Sequence, residues 1–158
     1  MIASKFWSLV KIVSSFTIAH TITLILAATG VVSLPSRFVE VCIAATIVYV
    51  ASENLLRESI PERWRLTFAF GLIHGFGFAN VLRDLGLPNE GMTRCLLAFD
   101  LGVELGQLAI VALLWPVWQL VQRTKHAKKA TQMLSILILI FGGCWLIDRF
   151  LGLEWMPF

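Results

Sequence analysis

The stretch FGLIHGFGFA, residues 70–79, lies inside a longer apolar run and holds one titratable side chain, His74, among glycines at 71, 75 and 77. What a histidine does in such a setting depends on the solvent around the run. The whole chain supplies that solvent: 58% of its 158 residues are hydrophobic, only 15% are charged, and the mean hydropathy is +0.80. That balance lies far from a soluble globular domain. The composition predicts an all-α, polytopic transmembrane bundle whose outer surface meets a lipid bilayer.

A helix that crosses the hydrocarbon core needs about 20 mostly apolar residues. Five stretches qualify, at about 12–33, 38–56, 64–83, 95–121 and 131–151, as one transmembrane domain over 1–158. The separators SLPSR, LLRESIPERWR, RDLGLPNEGMTR and QRTKHAKK are short and carry charge, proline or glycine, the signals that end one helix and reverse into the next. With the N-terminus cytoplasmic, nine basic residues lie inside (Lys5, Lys11, Arg57, Arg63, Arg65, Arg123, Lys125, Lys128 and Lys129) and four outside (Arg37, Arg83, Arg94 and Arg149). The positive-inside rule favours that orientation. The net charge of +3 is then a topology signal, and no basic stripe with interleaved aromatics marks a nucleic-acid partner. His126 belongs to the basic loop. A secretory signal peptide is the competing reading of the N-terminus, with LAATG as small residues for cleavage; the length of the run and its central histidine favour a retained first helix.

Cys42, Cys95 and Cys144 fall in separate spans without CxxC spacing, so they signal neither a disulfide framework nor a thiolate metal site. Trp7, Trp64, Trp118, Trp145 and Trp155 fall near span ends, as an interfacial belt requires. Polar residues inside the spans are more telling, because ionisable groups in hydrocarbon are costly and normally face a bundle interior. These are His20 in FTIAHTITL, Glu40, Glu53 and Asn54 in the second span, His74 in the third, and Asp100, Glu104 and Gln107 in FDLGVELGQ.

The last three recur at spacings of four and three, so they project from one helix face. Gly71 and Gly75, and again Gly102 and Gly106, sit four apart, and small residues at that spacing let helices approach closely. The third and fourth spans are therefore expected to pack tightly. With a rise of about 1.5 Å per residue, His20 lies ~12 Å into its span, His74 ~15 Å and Glu104 ~14 Å, near one plane of a core roughly 30 Å thick. Two imidazoles and a carboxylate at one level suit a divalent transition metal. Asp100 and Glu53 flank that level on opposite sides.

Plainer readings stand beside this one. A single intramembrane histidine can be an interhelical hydrogen-bonding residue, Glu40 and Glu53 lie close enough to span ends to reach the interface, and Thr17, Thr21 and Thr23 can bond back to their own helix. His20 and His74 could instead be axial haem ligands of a redox subunit, or the buried polar groups could only hold an assembly subunit together. No GxSx nucleophile segment and no HExxH motif is present, so the chain is not read as an enzyme. No ATP-binding motif is present either.

Taken in order, FTIAHTITL, ASENL, FGLIHGFGFA and FDLGVELGQ resemble the HupE/UreJ family of bacterial membrane proteins over roughly residues 13–110. The resemblance implies a multi-pass inner-membrane protein with a hydrogenase or urease accessory role, nickel permease-like. His20, Glu53, Asn54, His74, Asp100, Glu104 and Gln107 fall on its motif positions; Asp100 stands where Asn is expected, and Thr21 where Ser is usual. Members of that family commonly carry an earlier helix with a GxxHI…GxDH-type segment, and this chain starts directly before FTIAH. The resemblance therefore implies a shortened member that works with fewer groups, or completes its site by homo-oligomerising or with a partner membrane subunit. The expected function is binding and transport of a divalent transition-metal ion, nickel first, with cobalt, zinc or copper compatible with the same ligands. Asp100 attracts the ion, His20, His74 and Glu104 coordinate it, and Glu53 with Asn54 accepts it toward the cytoplasm.

Overall fold

A computed structural model describes residues 2–57, 62–84, 92–153 and 155–156, with the side chains of 2–5, 79–84 and 92–93 outside that description. Five α-helices follow one another: α1 (Ile2–Ala28), α2 (Ser36–Leu56), α3 (Arg63–Asp84), α4 (Met92–Gln122) and α5 (Ala127–Leu151). No strand occurs among the described residues. The helices correspond one to one to the expected spans. The turn expected within RDLGLPNEGMTR and part of LLRESIPERWR fall on residues 85–91 and 58–61, outside the described residues. So do the side chains of Lys5 and Arg83, on which the orientation partly rests.

The ends of the helices differ from the hydropathy reading for local reasons. α1 starts at Ile2 and stops at Ala28 because Gly30 takes a left-handed conformation at φ 76°, and the amides of Val31 and Val32 turn back onto the Leu26 carbonyl at 3.0 and 3.2 Å. Glycine tolerates that geometry and commonly ends helices. At its other end, Lys11 is exposed and sets its ammonium 5.8 Å over the Trp64 ring, so a long apolar stem carries the charge away from the helix. α5 starts at Ala127 because the basic residues 128 and 129 are exposed and do not interrupt it. α4 continues through Pro116, which transmembrane helices tolerate better than soluble ones.

Among the described residues, four segments are long and apolar enough to cross a bilayer: Phe6–Ala28, Ser36–Leu56, Arg94–Gln122 and Ala127–Leu151. α3 is the exception to the five expected. Its 22 residues include Arg63, Arg65, Arg83 and Asp84 at the ends, and His74, Asn80 and three glycines between. Many exposed side chains are large and apolar, among them Leu101, Leu105, Ile110 and Leu113 of α4 and Leu137, Ile140 and Phe141 of α5. The buried ones include Thr17, His20, Thr23, Glu53, Asp100, Ser135 and Asp148. Apolar outside and polar within is the arrangement a lipid solvent selects.

The chain forms two compact units, one of Met1–Ser36 and Glu62–Leu113, the other of Arg37–Pro61 and Leu114–Phe158. In the first unit, α3 is clamped to α1. A Cβ at Gly71 would run into the Phe16 carbonyl oxygen and come within 2.8 Å of Ala19 Cβ, and one at Gly75 would strike the Thr23 hydroxyl, the His20 carbonyl oxygen and, at 2.9 Å, the Leu24 nitrogen. Only glycine permits this approach. The second glycine pair does not do what its spacing predicts: Gly102 and Gly106 face open space. α3 and α4 meet through aromatic rings instead, Phe78 stacking on Phe99 at 4.9 Å, beside a small core of Leu24, Ala27 and Leu96.

In the second unit, Gly142 of α5 fits against Ile47 of α2, where a Cβ would come within 2.8 Å of its Cγ2. The Arg37 guanidinium donates from Nε to the Arg149 carbonyl and from Nη2 to the Phe150 carbonyl, each at 2.8 Å. These are carbonyls that the end of α5 leaves without helical partners. Gly152 closes the same end in a left-handed conformation, its amide on the Asp148 carbonyl. Glu40 meets Arg149 Nε at 2.9 Å.

Candidate functional site

The polar residues of the first unit line up where α1 faces α4. His20 and Asp100 are both buried, and His20 Nδ1 lies 3.1 Å from Asp100 Oδ1. Asp100 Oδ2 is buried without a hydrogen-bond partner. Further along the antiparallel pair, Ser14 Oγ donates to Glu104 Oε1 at 2.6 Å. Beyond that, Gln107 borders a groove of about 370 Å³ together with Ile12, Val13, Phe16 and Thr67. Asp100, Glu104 and Gln107 thus share one face of α4, as their spacing predicts; α1 presents His20 to Asp100 and Ser14 to Glu104, and part of the groove wall beside Gln107.

His74 enters from α3. Its Nδ1 is 2.8 Å from the Phe70 carbonyl oxygen one turn back. A carbonyl can only accept, so Nδ1 carries the hydrogen and the neutral ring keeps its lone pair on Nε2. The Asp100 carboxylate acts on His20 in the same sense, accepting a hydrogen bond from Nδ1–H so that the neutral ring keeps its lone pair on Nε2. Both imidazoles are therefore held in the form that binds a metal through Nε2, with an oxygen acceptor behind the other nitrogen. Phe16 lies against both, stacked on His20 at 6.0 Å between centroids and edge-on to His74 at 5.2 Å.

This register differs from the depth reading. Asp100, rather than Glu104, stands at the level of His20, while Glu104 stands at Ser14, ~9 Å lower along α1 by helical rise. The depths had been counted from apolar boundaries, whereas the register follows from which side chains interlock. Among the described residues, no three His, Cys, Asp or Glu side chains are gathered closely enough to hold a metal ion. His20 is joined to Asp100, His74 approaches them across Phe16, and Glu104 is set apart.

Glu53 and Asn54 lie on α2, in the other unit. Glu53 is buried, with its Oε1 3.4 Å from both the Arg57 guanidinium and the Tyr49 hydroxyl. The threonines around His20 bond back to their own helix, Thr17 to Val13, Thr21 to Thr17 and Thr23 to Ala19. Two residues at the site, Ser14 and Phe16, lie outside the titratable motif positions, and so does Asp148 in the other unit. Ser14 was legible only as one of two adjacent serines in an apolar helix, and Phe16 had no polar signal at all. Asp148 is fully buried, its Oδ1 accepting the Trp155 amide at 2.9 Å, in a span whose sequence carries no other intramembrane polar pattern.

A protein-family model described as HupE / UreJ protein matches residues 1–149. It reaches past the stretch 13–110 that carries the motifs, at both ends. No curated protein and no solved structure matches the chain.

Proposed function

Because the chain belongs to the HupE/UreJ family, we propose that it binds a divalent transition-metal ion, nickel foremost, between α1, α3 and α4 and carries it across the inner membrane. The observation that carries this reading is the pair of imidazoles whose Nδ1 atoms face oxygen acceptors, His20 toward Asp100 and His74 toward Phe70. In this arrangement the neutral ring of each histidine presents its Nε2 lone pair to a ligand. Imidazole suits nickel, cobalt, zinc and copper alike.

In this mechanism the ion is the cargo. Asp100 contributes negative charge and fixes the tautomer of His20, a role behind the ligand rather than the direct attraction its position in the motif implies. His20 and His74 take the ion through Nε2. Glu104 and Gln107 continue the polar face of α4 toward the groove beside Thr67, and offer the next oxygen donors along it. No step is assigned to Glu53 and Asn54, which belong to the other unit. Binding displaces protons from the ligands, so acidification opposes loading and a metal/proton exchange can drive the cycle without ATP. The N-terminus is assigned to the cytoplasm on the distribution of Lys and Arg.

Elemental analysis tests this on detergent-purified protein exposed to nickel, cobalt, zinc and copper together. Wild type retains one metal in stoichiometric amount, and folded His20→Ala and His74→Ala lose it. Asp100→Asn retains it with affinity weakened about 10–100-fold, the usual effect of removing the group behind a histidine ligand. Well-folded wild type without metal above background refutes the reading. A Soret band in that preparation would point to haem instead.

A further inference from the structure

The Phe16 side chain has no polar atom, yet its ring lies against both imidazoles. An ion held by two imidazoles needs both Nε2 atoms at about 2.0–2.1 Å from it, so the space around those atoms has to be open to the ion. α1 and α3 cannot create that space by shifting closer. Their backbones already meet at Gly71 and Gly75, where the carbonyls of Phe16 and His20 occupy the room of a missing Cβ. What can move is the aromatic ring that lies against both histidines.

We propose that Phe16 is the gate of this site: its ring covers His20 and His74 in the closed state and swings into the groove beside Thr67 and Gln107 when an ion enters. The inference rests on His20 and His74 being the ligands. The groove supplies the second position. It measures about 370 Å³, is bordered by Ile12, Val13, Thr67, Gln107 and Val111, and Phe16 itself forms part of its wall. Its lining is mainly apolar, so a phenyl ring entering it loses little contact. In a helix an aromatic side chain has two accessible χ1 wells, and Phe16 therefore has a discrete alternative rather than a continuum. With the ring in place the Nδ1 atoms of His20 and His74 face Asp100 and Phe70, contacts that are kept when an ion binds at Nε2, and only Glu104 has to release its partner, Ser14, to offer an oxygen.

The test is cobalt(II) binding to the full chain in detergent, followed by its visible absorption in titrations and stopped-flow mixing. Phe16→Ala removes the cover and raises apparent affinity about tenfold, the factor expected when the open state is about a tenth populated in wild type. Association becomes faster in the same variant, and Phe16→Trp, with a larger ring, slows it below wild type. Phe16→Leu lies between wild type and Phe16→Ala, and keeps the comparison available should the alanine variant fail to fold. Equal rates and affinities in wild type, Phe16→Leu and Phe16→Trp, with binding still lost in His20→Ala, overturn the gate and leave the metal site standing. No binding by any variant overturns both.

Discussion

Gly75→Ala puts the clamp between α1 and α3 to the test. The added Cβ would lie 2.9 Å from the Leu24 nitrogen and closer still to the His20 carbonyl oxygen and the Thr23 hydroxyl. Ordinary contact begins near 3.4 Å, so against the nitrogen alone the helices must separate by about 0.5 Å. Two of the three obstacles are main-chain atoms, which cannot rotate away. Overpacking of this kind costs about 1–3 kcal/mol, and the main-chain contacts place Gly75→Ala toward the upper end. The control is Gly102→Ala on α4, where nothing lies within 4 Å of the new atom. There the change is worth at most about 1 kcal/mol and is stabilising, because alanine is the better helix former. Thermal unfolding of both variants in the same detergent, followed by tryptophan fluorescence, separates them. Equal midpoints for the two variants would refute the assignment of the close helix contact to Gly75, and a loss confined to Gly102→Ala would move the contact to α4.

Two further outcomes follow from single hydrogen bonds. Ser14→Ala leaves Glu104 without its 2.6 Å donor and lowers stability by about 1.5–3 kcal/mol, the range for bonds to charged groups; Ser14→Thr restores the midpoint, and an unchanged midpoint in the alanine variant would remove Ser14 from the account. Arg37→Ala removes two donors from the end of α5 at a cost of about 1 kcal/mol for an exposed side chain. It is read most directly as faster hydrogen exchange at the amides of Gly152 and Leu153, both of which rest on the Asp148 carbonyl. Arg37→Lys does not restore protection, because a single ammonium cannot span two carbonyls as the guanidinium fork does.

Hydropathy made the number and order of the helices legible, because lipid imposes one dominant requirement on every span. Their ends were less legible, since Gly30 closes α1 through a backbone conformation and the exposed lysines of α5 are simply carried within the helix. Spacing alone placed Asp100, Glu104 and Gln107 on one face, a property of a single helix. It could not say which glycine pair packs, since Gly71 with Gly75 and Gly102 with Gly106 have the same spacing and only their neighbours distinguish them. The level of Glu104 was misplaced for the same reason. Depth along one helix is a local quantity, whereas the pairing of His20 with Asp100 depends on residues 80 positions apart. Asp148 and Phe16 show the other limit: one is a lone carboxylate in a span of no evident pattern, the other an apolar ring whose importance comes entirely from what it covers.

The Arg37 cap on α5 also bears on how the protein is made. Its acceptors lie 112 and 113 residues further along the chain. At about 5–20 residues per second, a ribosome needs roughly 6–20 s to deliver them after Arg37 itself has emerged. Over that interval the guanidinium has only water, headgroups or the insertion machinery for company. His20 and Asp100, 80 residues apart, are both available well before Arg149 appears. The two units can therefore close in a set order during synthesis, the histidine-bearing one first, and a pause in translation after the first unit has emerged to Leu113 but before Arg149 has done so would hold the chain with one unit able to assemble and the other still open.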